Sequence, residues 1–221
     1  MTIDLDFLKS VPYFSALGTA EIDRLRDDMF ERSAEDGDLI LLEDEPADST
    51  YIVASGVVKV FRTSSEGKEQ ILYFVRPGQA LNDVPAYDGG PNLASAQALR
   101  SVVLYGIRNS DLESMLRENP QLYENVTRLM SGQVRHLVSL VEDLSFRHVI
   151  ARVAKILLEY ASDGTGPNPR LTQQEMAAIA GTAREVVGRS LRSLEDEGAI
   201  RLERHRIVIT NKHALEELAA A

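Results

Sequence analysis

The feature that most constrains the fold is a run of short strand-like segments between residues 38 and 107. Their residues are β-branched, aromatic or alternately apolar and polar, and turns rich in Gly, Ser and Pro separate them. Several short strands with regular turns predict a sandwich or a barrel-like roll. The segments are DLILLE (38–43), TYIVAS (50–55), VVKVFRT (57–63), QILYFV (70–75), LASAQAL (93–99) and SVVLYGI (101–107). Residues 4–31, before this run, have the apolar spacing of helices.

Helical spacing returns after the predicted roll. Asn109 or Ser110 is the expected N-cap of a short helix, and a long helix is predicted from about 121 to 143, after Pro120. The apolar residues of the long helix step by 4, 3, 4 and 3, which is the a/d seam of paired helices. This seam consists of Met130, Val134, Leu137, Val141 and Leu144. We predict a dimer interface along it, and the alternative is an amphipathic helix packed within one chain.

A helix-turn-helix is predicted near the C-terminus. After a helix at about 147–161 and the loop SDGTGPNP (162–169), Thr172 and Glu175 form a capping box that starts a short helix. Gly181 permits the turn that follows it. Thr182 and Glu185 offer a second capping box, for a helix through about Glu197 that ends at Gly198.

The second helix of this pair has the charges of a base-reading helix. Arg can donate two hydrogen bonds to guanine, Glu can accept one from cytosine, and recognition helices read bases near their N-terminus. We therefore predict that Arg184, Glu185 and Arg189 contact bases. A hairpin at 199–210 follows as a wing. The residues expected to contact the DNA backbone are Thr172, Thr182, Arg192, Arg204, His205 and Arg206.

The charge distribution agrees with this assignment. The net charge of the 221-residue chain is −10. Residues 1–146 hold 13 Lys and Arg against 24 Asp and Glu, and residues 147–221 hold 11 against 10. The acidic part should suppress indiscriminate binding to nucleic acid, while the C-terminal part can approach DNA.

Several classes of protein are not expected. Without cysteine the chain cannot form disulfides, iron–sulfur clusters or thiolate zinc sites. The histidines, at positions 136, 148, 205 and 213, lie outside the predicted roll. A haem held by a roll histidine is therefore not expected, and neither is a metal-dependent enzyme on a cupin-like roll. No apolar run approaches the ~18 residues of a membrane span. The N-terminus has no signal-peptide pattern. These features predict a cytoplasmic protein that is not an enzyme and does not bind membranes.

The order of roll, long helix and winged helix-turn-helix resembles the cyclic-AMP receptor/fumarate–nitrate regulator (Crp/Fnr) superfamily of bacterial transcription factors. The segments that carry the resemblance are LTQQEMAAIAGTAREVVGR (171–189), DLSF (143–146), YIVASGVVKV (51–60) and EGKE (66–69). It implies an α+β chain with a cyclic-nucleotide-binding-like β-roll (jelly roll) at 1–120, a dimerisation helix at 121–146 and a winged helix-turn-helix at 147–221. It also implies a homodimer on an inverted repeat of double-stranded DNA, and contact with RNA polymerase. Arg184, Glu185 and Arg189 match the R-E-x-x-x-R of the branch that reads half-sites similar to TGTGA.

The segment 82–96, NDVPAYDGGPNLASA, departs from the cyclic-AMP pattern of the family. That pattern has Gly-Glu and, about ten residues later, an Arg-Ser pair that holds ribose and phosphate. Asp83 could replace the ribose carboxylate, but the Arg position falls at Leu93 or Ala94, before Ser95. The family's Thr-Ser pair on the long helix, which contacts adenine, is Leu137-Val138 here.

A buried phosphate without the Arg would lack its charge-assisted partner, so cyclic AMP is not expected to bind. The expected effector pocket consists of Leu72, Phe74, Asn82, Asp83, Leu137, Val138 and Val141. Because this lining is mostly apolar, we expect either an apolar or weakly polar small effector or a roll filled by its own side chains. One alternative is a cyclic-nucleotide-responsive regulator with a divergent phosphate site. Another is a cyclic-nucleotide-binding module without DNA binding, against which the helix-turn-helix and wing argue.

Overall fold

The computed structural model describes residues 3–160, 171–203 and 206–220. They form two compact units. The first comprises Met1–Arg62 and Tyr73–Arg135, and the second comprises Thr63–Leu72 and His136–Ala221. The second unit therefore contains a short piece of the strand-rich region together with the C-terminal helices.

The first unit begins with helices, although the helical region is shorter than predicted. α1 (Leu5–Ser10), a 3-10 turn (Pro12–Phe14) and α2 (Thr19–Asp28) lead into strand β1 (Phe30–Ala34). The prediction of helix up to residue 31 is wrong at its end, because residues 30–34 pair with a later strand. Phe30 lies opposite Gly106 in this pairing, and its ring covers that glycine. An aromatic side chain over a strand glycine stabilises the strand pair.

Eight strands form the predicted roll. They make two four-stranded antiparallel sheets with the orders β1-β8-β3-β6 and β2-β7-β4-β5. The remaining strands are β2 (Leu39–Leu41), β3 (Ser49–Ser55), β4 (Val58–Thr63), β5 (Glu69–Val75), β6 (Ala80–Leu81), β7 (Ser95–Ala98) and β8 (Val102–Arg108). Helix α3 (Pro85–Asp88) lies between β6 and β7. The core of this unit includes the fully buried side chains of Leu8, Phe14, Ile52, Leu112 and Leu122.

Two helices follow the roll, α4 (Asn109–Glu118) and α5 (Pro120–Phe146). The predicted N-caps of α4 are wrong, because Arg108 occupies the cap position and makes no side-chain cap bond. The Asn109 side chain instead bonds Thr50 Oγ1 at 3.0 Å and donates to the Ala47 carbonyl at 3.2 Å. The division between the units falls inside α5, between residues 135 and 136.

The second unit is a small helical domain with a two-stranded hairpin. Its elements are α6 (Val149–Tyr160), α7 (Gln173–Ala180), α8 (Arg184–Asp196), β9 (Ile200–Glu203), β10 (Arg206–Ile209) and α9 (Lys212–Ala220). Leu157, Val187, Leu191, Leu194 and Leu215 are fully buried in its core. The predicted loop at 162–169 lies outside the described residues. Among the described helices, none has the length and apolarity needed to cross a bilayer.

Candidate nucleic-acid interface

The helix-turn-helix begins with the predicted capping box on α7. The Glu175 backbone N–H donates to Thr172 Oγ1 at 3.1 Å, and the Thr172 backbone N–H donates to Glu175 Oε2 at 2.6 Å. Two N–H groups at the start of the helix are thereby satisfied. The prediction of this box is confirmed, although Thr172 Oγ1 is already engaged within the chain.

Gly181 ends α7 in the left-handed region, with φ of 62°. The Thr182 backbone N–H donates to the Ala177 carbonyl at 3.0 Å, which closes the last turn of α7. A Cβ at position 181 would lie 2.6 Å from Leu144 Cδ2. The left-handed backbone therefore favours glycine at this turn, and a side chain would also displace the end of Leu144.

The second predicted capping box does not form. α8 begins at Arg184, and Ala183 is its N-cap, with no side-chain cap bond. Thr182 lies one residue too early to accept from the first turn of α8, because its backbone still belongs to the end of α7. Its predicted contact with the DNA backbone stays a prediction.

The exposed face of α8 carries the predicted base-reading residues. Arg184, Glu185, Arg189 and Arg192 are exposed, and at about 100° per residue they fall within an arc of roughly 140°. None of the four makes an ion pair or a side-chain hydrogen bond with another described residue. Val187, Leu191 and Leu194, on the opposite face, are fully buried. α8 is therefore fixed by its apolar face, and four charged side chains remain available to a partner.

The predicted wing is the β9–β10 hairpin. Leu202 N–H donates to Glu195 Oε1 of α8 at 2.7 Å, which joins the wing to the helix. Glu203 accepts from Arg201 Nη2 at 2.8 Å and from Arg206 Nε at 2.6 Å. These hydrogen bonds hold the pKa of Glu203 below its ordinary value. Of the predicted backbone contacts, Arg206 lies in the described wing, while Arg204 and His205 lie outside the described residues.

Ionic contacts and hydrogen bonds join the end of α5 to α6. Asp143 bonds Arg147 Nε at 3.0 Å and Lys155 Nζ at 2.5 Å. Arg152 Nη1 donates to the carbonyls of Asp143, Leu144 and Arg147 at 3.1–3.3 Å. Cations stabilise a helix C-terminus, where carbonyls lack partners within the helix. Sequence reasoning missed this cluster, although the i,i+4 spacing of Asp143 and Arg147 was a readable signal.

A second set of missed contacts comes from the turn between β4 and β5 and from the first half of β5. Lys68 Nζ donates to the Gly181 carbonyl at 3.2 Å, and Gln70 Nε2 donates to the Ile179 carbonyl at 3.1 Å. His136 Nε2 lies 3.0 Å from the Leu72 carbonyl oxygen. This piece of the strand region thus bonds the turn of the helix-turn-helix, which explains why it groups with the second unit. The sequence contains no local signal for such pairs.

The predicted seam on α5 is largely exposed in the single chain. Of its residues, Val134 and Val141 are 59% and 62% exposed, and Leu137 is 36% exposed. Val138, which lies beside the seam, is 63% exposed. Of the other seam residues, Met130 packs against the core of the first unit and Leu144 lies against Gly181. A contiguous apolar surface of this kind is typical of a protein–protein interface.

The loop at residues 82–95 of the roll is closed by its own polar contacts. Asn82 adopts φ of 63°, and its Nδ2 donates to Asn92 Oδ1 at 2.8 Å. Asp83 is only 3% exposed. Burial raises the pKa of its carboxyl, although the backbone N–H groups of Asp83 and Val84 oppose the rise. Ser95 Oγ accepts from the Glu43 N–H at 3.1 Å.

Three tyrosines surround this region. The hydroxyls of Tyr13 and Tyr87 lie 2.5 Å apart. Burial raises the pKa of Tyr73 to about 12, with a contribution from the charge of Asp83. Burial and then Asp83 raise the pKa of Tyr13 as well. The Asp83 carboxyl therefore lies among neutral phenols. Positions 93 and 94, the two candidates for the arginine of the family pattern, are Leu and Ala.

An open cavity of about 520 Å³ lies elsewhere in the first unit, beside α5. It is lined by Tyr87, Tyr123, Val126, Thr127, Met130, Ser131, Val134 and Arg135. Met130 and Val134 belong to the predicted seam, so we expect a second copy of the chain to cover this cavity in the predicted dimer. Within the described ranges, no group of His, Asp and Glu side chains could hold a metal ion.

Each of the two units matches a known protein family. Residues 31–119 match the family "Cyclic nucleotide-binding domain", and residues 151–218 match the "Crp-like helix-turn-helix domain". The cyclic AMP receptor protein of Thermus thermophilus is 32% identical over 212 residues, which cover 96% of this chain and 98% of that protein. A CRP-like cAMP-activated global transcriptional regulator of Mycobacterium tuberculosis is 31% identical over 190 residues, with 83% and 85% coverage. FixK2 from Bradyrhizobium japonicum has a similar structure, with a TM-score of 0.75, 26% identity, and coverage of 87% of this chain and 98% of that chain.

Proposed function

The chain belongs to the Crp/Fnr family of transcription regulators, and from that premise we propose that it binds an inverted DNA repeat as a homodimer. The observation that carries the proposal is the exposed face of α8. Arg184, Glu185, Arg189 and Arg192 are held there by a buried apolar face and have no partner among the described residues. Free arginines near the start of a helix that follows a glycine turn suit base reading in the major groove.

The α5 seam supports the dimer. Its exposed valines and Leu137 would be covered when two α5 helices pair across a two-fold axis. Two recognition helices related in this way meet successive major grooves roughly 34 Å apart. The proposed half-sites resemble TGTGA, because Arg184, Glu185 and Arg189 match the family branch that reads this sequence. Contact with RNA polymerase is part of the same proposal and rests on the resemblance alone.

DNA binding is tested with the full chain and two kinds of duplex. A TGTGA palindrome and a scrambled duplex of equal length are compared by fluorescence anisotropy at fixed salt. In parallel, enrichment from a randomised duplex pool identifies the preferred site without assuming its sequence. We expect the preferred palindrome to bind at least about 1,000-fold more tightly than scrambled DNA. Equal affinity for all duplexes, with no sequence enriched from the pool, would contradict the proposal.

The effector is proposed not to be cyclic AMP. The family pattern puts the phosphate-binding arginine at position 93 or 94, which are Leu and Ala here, and the Asp83 carboxyl is buried and bonded by its own backbone. A phosphate placed there would lose hydration without gaining a cation. The roll is therefore proposed to accept an apolar or weakly polar molecule, or to be filled by its own side chains.

A cyclic-nucleotide regulator with a divergent phosphate site is the second candidate. Two relatives carry cyclic AMP in their names, and Arg62 Nη1 donates to the Leu93 carbonyl at 2.7 Å. However, Arg62 also pairs with Glu43 and Asp44 at 3.4 and 3.5 Å, so its charge is already compensated. Isothermal titration of the full chain with cyclic AMP separates the two candidates. We expect no binding tighter than about 100 μM, and a Kd near 1 μM would favour the second candidate.

A further inference from the structure

Two glycines lie inside helices without a visible packing reason. A Cβ at Gly188 of α8 would meet only Gln173 Oε1, at the ordinary contact distance of 3.7 Å, and a Cβ at Gly132 of α5 would meet no described atom within 4 Å. Gly181 is different, because a side chain there would be strained by its positive φ. Glycine inside a helix costs about 1 kcal/mol relative to alanine. The described part of the chain thus accounts for Gly181 but not for Gly188 or Gly132, and of these two only Gly188 lies among the charges of α8.

Gly188 lies inside the charged face of α8. At about 100° per residue it falls between Arg184 and Arg192, each four positions away, and Arg189 lies about 100° further around the helix. The charged neighbours are long and exposed, whereas position 188 has no side chain. The face therefore has a notch at which the helix backbone is accessible. Close approach of backbone to a ligand is one of the recurring uses of glycine.

A substitution at Gly188 can be accommodated by the protein itself. The one described neighbour is the amide oxygen of Gln173, an exposed side chain at the start of α7 that can move aside. The cost of glycine in this helix is therefore not offset by packing among the described residues. Stronger binding to a partner would offset this cost. The notch lies on the surface that is proposed to bind DNA.

We propose that Gly188 is the point at which α8 approaches DNA most closely, an inference that rests on the proposed function. The missing side chain allows α8 to lie deep in the major groove. This depth lets Arg184 and Arg189 reach base edges with both guanidinium nitrogens, as bidentate contact with guanine requires. Any side chain at 188 holds the helix away from the groove floor, and the longer it is, the fewer base contacts remain.

The test uses a graded series and a matched control, all in the full chain. Gly188→Ala and Gly188→Leu are compared with Gly132→Ala, which also replaces an unhindered helix glycine but lies on α5. Each variant is measured for urea unfolding, for affinity to the preferred palindrome and for affinity to scrambled DNA. The size series distinguishes loss of close approach from a change in helix stability, because alanine and leucine both favour helix over glycine.

We expect the Gly188 variants to unfold at the same or higher urea concentration than the wild type. Their affinity for the palindrome should fall about tenfold for alanine and further for leucine, while affinity for scrambled DNA changes less than about threefold. Gly132→Ala should bind both duplexes like the wild type. Palindrome binding by Gly188→Leu within about twofold of the wild type would overturn the inference and leave the proposed function intact. A wild-type chain that does not distinguish the palindrome from scrambled DNA overturns the proposed function and this inference with it.

Discussion

The exposed face of α8 and the loop at 82–95 of the roll use their polar side chains in opposite ways. On α8, four charged residues have no partner among the described residues. In the loop, Asn82 bonds Asn92, and the Asp83 carboxyl is buried and accepts from its own backbone. Buried polar groups are stable only when they are bonded, whereas exposed charges need no partner until a ligand arrives. The difference indicates that the charges of α8 are available to an external partner, whereas the polar groups of the loop are hydrogen-bonded within the chain.

Two glycines of the helix-turn-helix show a similar contrast. Gly181, in the turn before α8, is favoured by a left-handed backbone, so it serves the fold. Gly188 has no such requirement within the described residues and faces outward with the charges. Its position among the four exposed charges, together with the lack of an internal reason for glycine there, indicates a surface suited to binding rather than to packing.

The largest effect is expected when the predicted dimer is disrupted, so that the two α8 helices no longer bind DNA together. Leu137→Glu places a charge at the centre of the seam, and burying an unpaired carboxylate there should prevent pairing of the α5 helices. Two linked DNA-binding domains bind about 100- to 10,000-fold more tightly than one, so the affinity for the palindrome should fall by at least about 100-fold. Light scattering and fluorescence anisotropy measure the two effects.

Arg128→Glu is the control for this change, because Arg128 is an exposed residue of α5 outside the seam. It adds more negative charge than Leu137→Glu and should leave the dimer intact. A dimer that persists in Leu137→Glu would place the interface elsewhere on the chain.

A smaller effect is expected for the base-reading arginines themselves. Arg184→Ala or Arg189→Ala should weaken palindrome binding by about 1–3 kcal/mol and relax one position of each half-site. Arg24→Ala, which removes an exposed arginine of the first unit with no partner among the described residues, should not change the affinity. Anisotropy on a set of half-site variants measures both strength and selectivity. Equal losses on palindromic and scrambled DNA would mean that these arginines contact only phosphates, and α8 would no longer be the reading element.

Local signals made the DNA-binding region readable from the sequence. The capping box at Thr172 and Glu175, the turn at Gly181 and the apolar face of α8 all lie within a short segment, and their prediction is confirmed. The second capping box was wrong because T-x-x-E also occurs where the threonine still belongs to the preceding turn.

Contacts between distant residues could not be predicted in the same way. The Lys68–Gly181 and Gln70–Ile179 bonds join residues 113 and 109 positions apart. β1 was missed because its partner strand, β8, lies more than 60 residues away in the sequence. The family pattern pointed to Asp83, but it could not show that the tyrosines whose pKa values are raised by burial and by the charge of Asp83, Tyr13, Tyr73 and Tyr87, come from three separate segments.

The smallest effect is expected in the roll, from Asp83→Asn. Because burial raises the pKa of Asp83, the folded chain keeps this proton at pH values where the unfolded chain has lost it. The free energy of unfolding should therefore decrease as pH rises from the ordinary carboxyl value of about 4 to the raised pKa, and stay level above it. Asn cannot ionise, so the variant should lack this decrease. Asp36→Asn, at an exposed position with no side-chain partner among the described residues, is the control variant for the loss of a carboxylate.

The slope of stability with pH is the informative quantity, since the amide also changes the hydrogen bonds at 83 by an amount that does not depend on pH. Urea unfolding between pH 4 and pH 7 gives the wild-type and Asp83→Asn curves, and their difference removes the contributions of the other carboxyls. If the variant becomes more stable relative to the wild type as pH rises, the fold disfavours the ionised carboxylate, as expected for a loop without a cation. A difference that is flat, or that shifts in favour of the wild type, would mean that an unrecognised positive charge stabilises the carboxylate. The loop at 82–95 would then resemble α8 as a charged site open to a ligand, and the contrast between the two regions would fail.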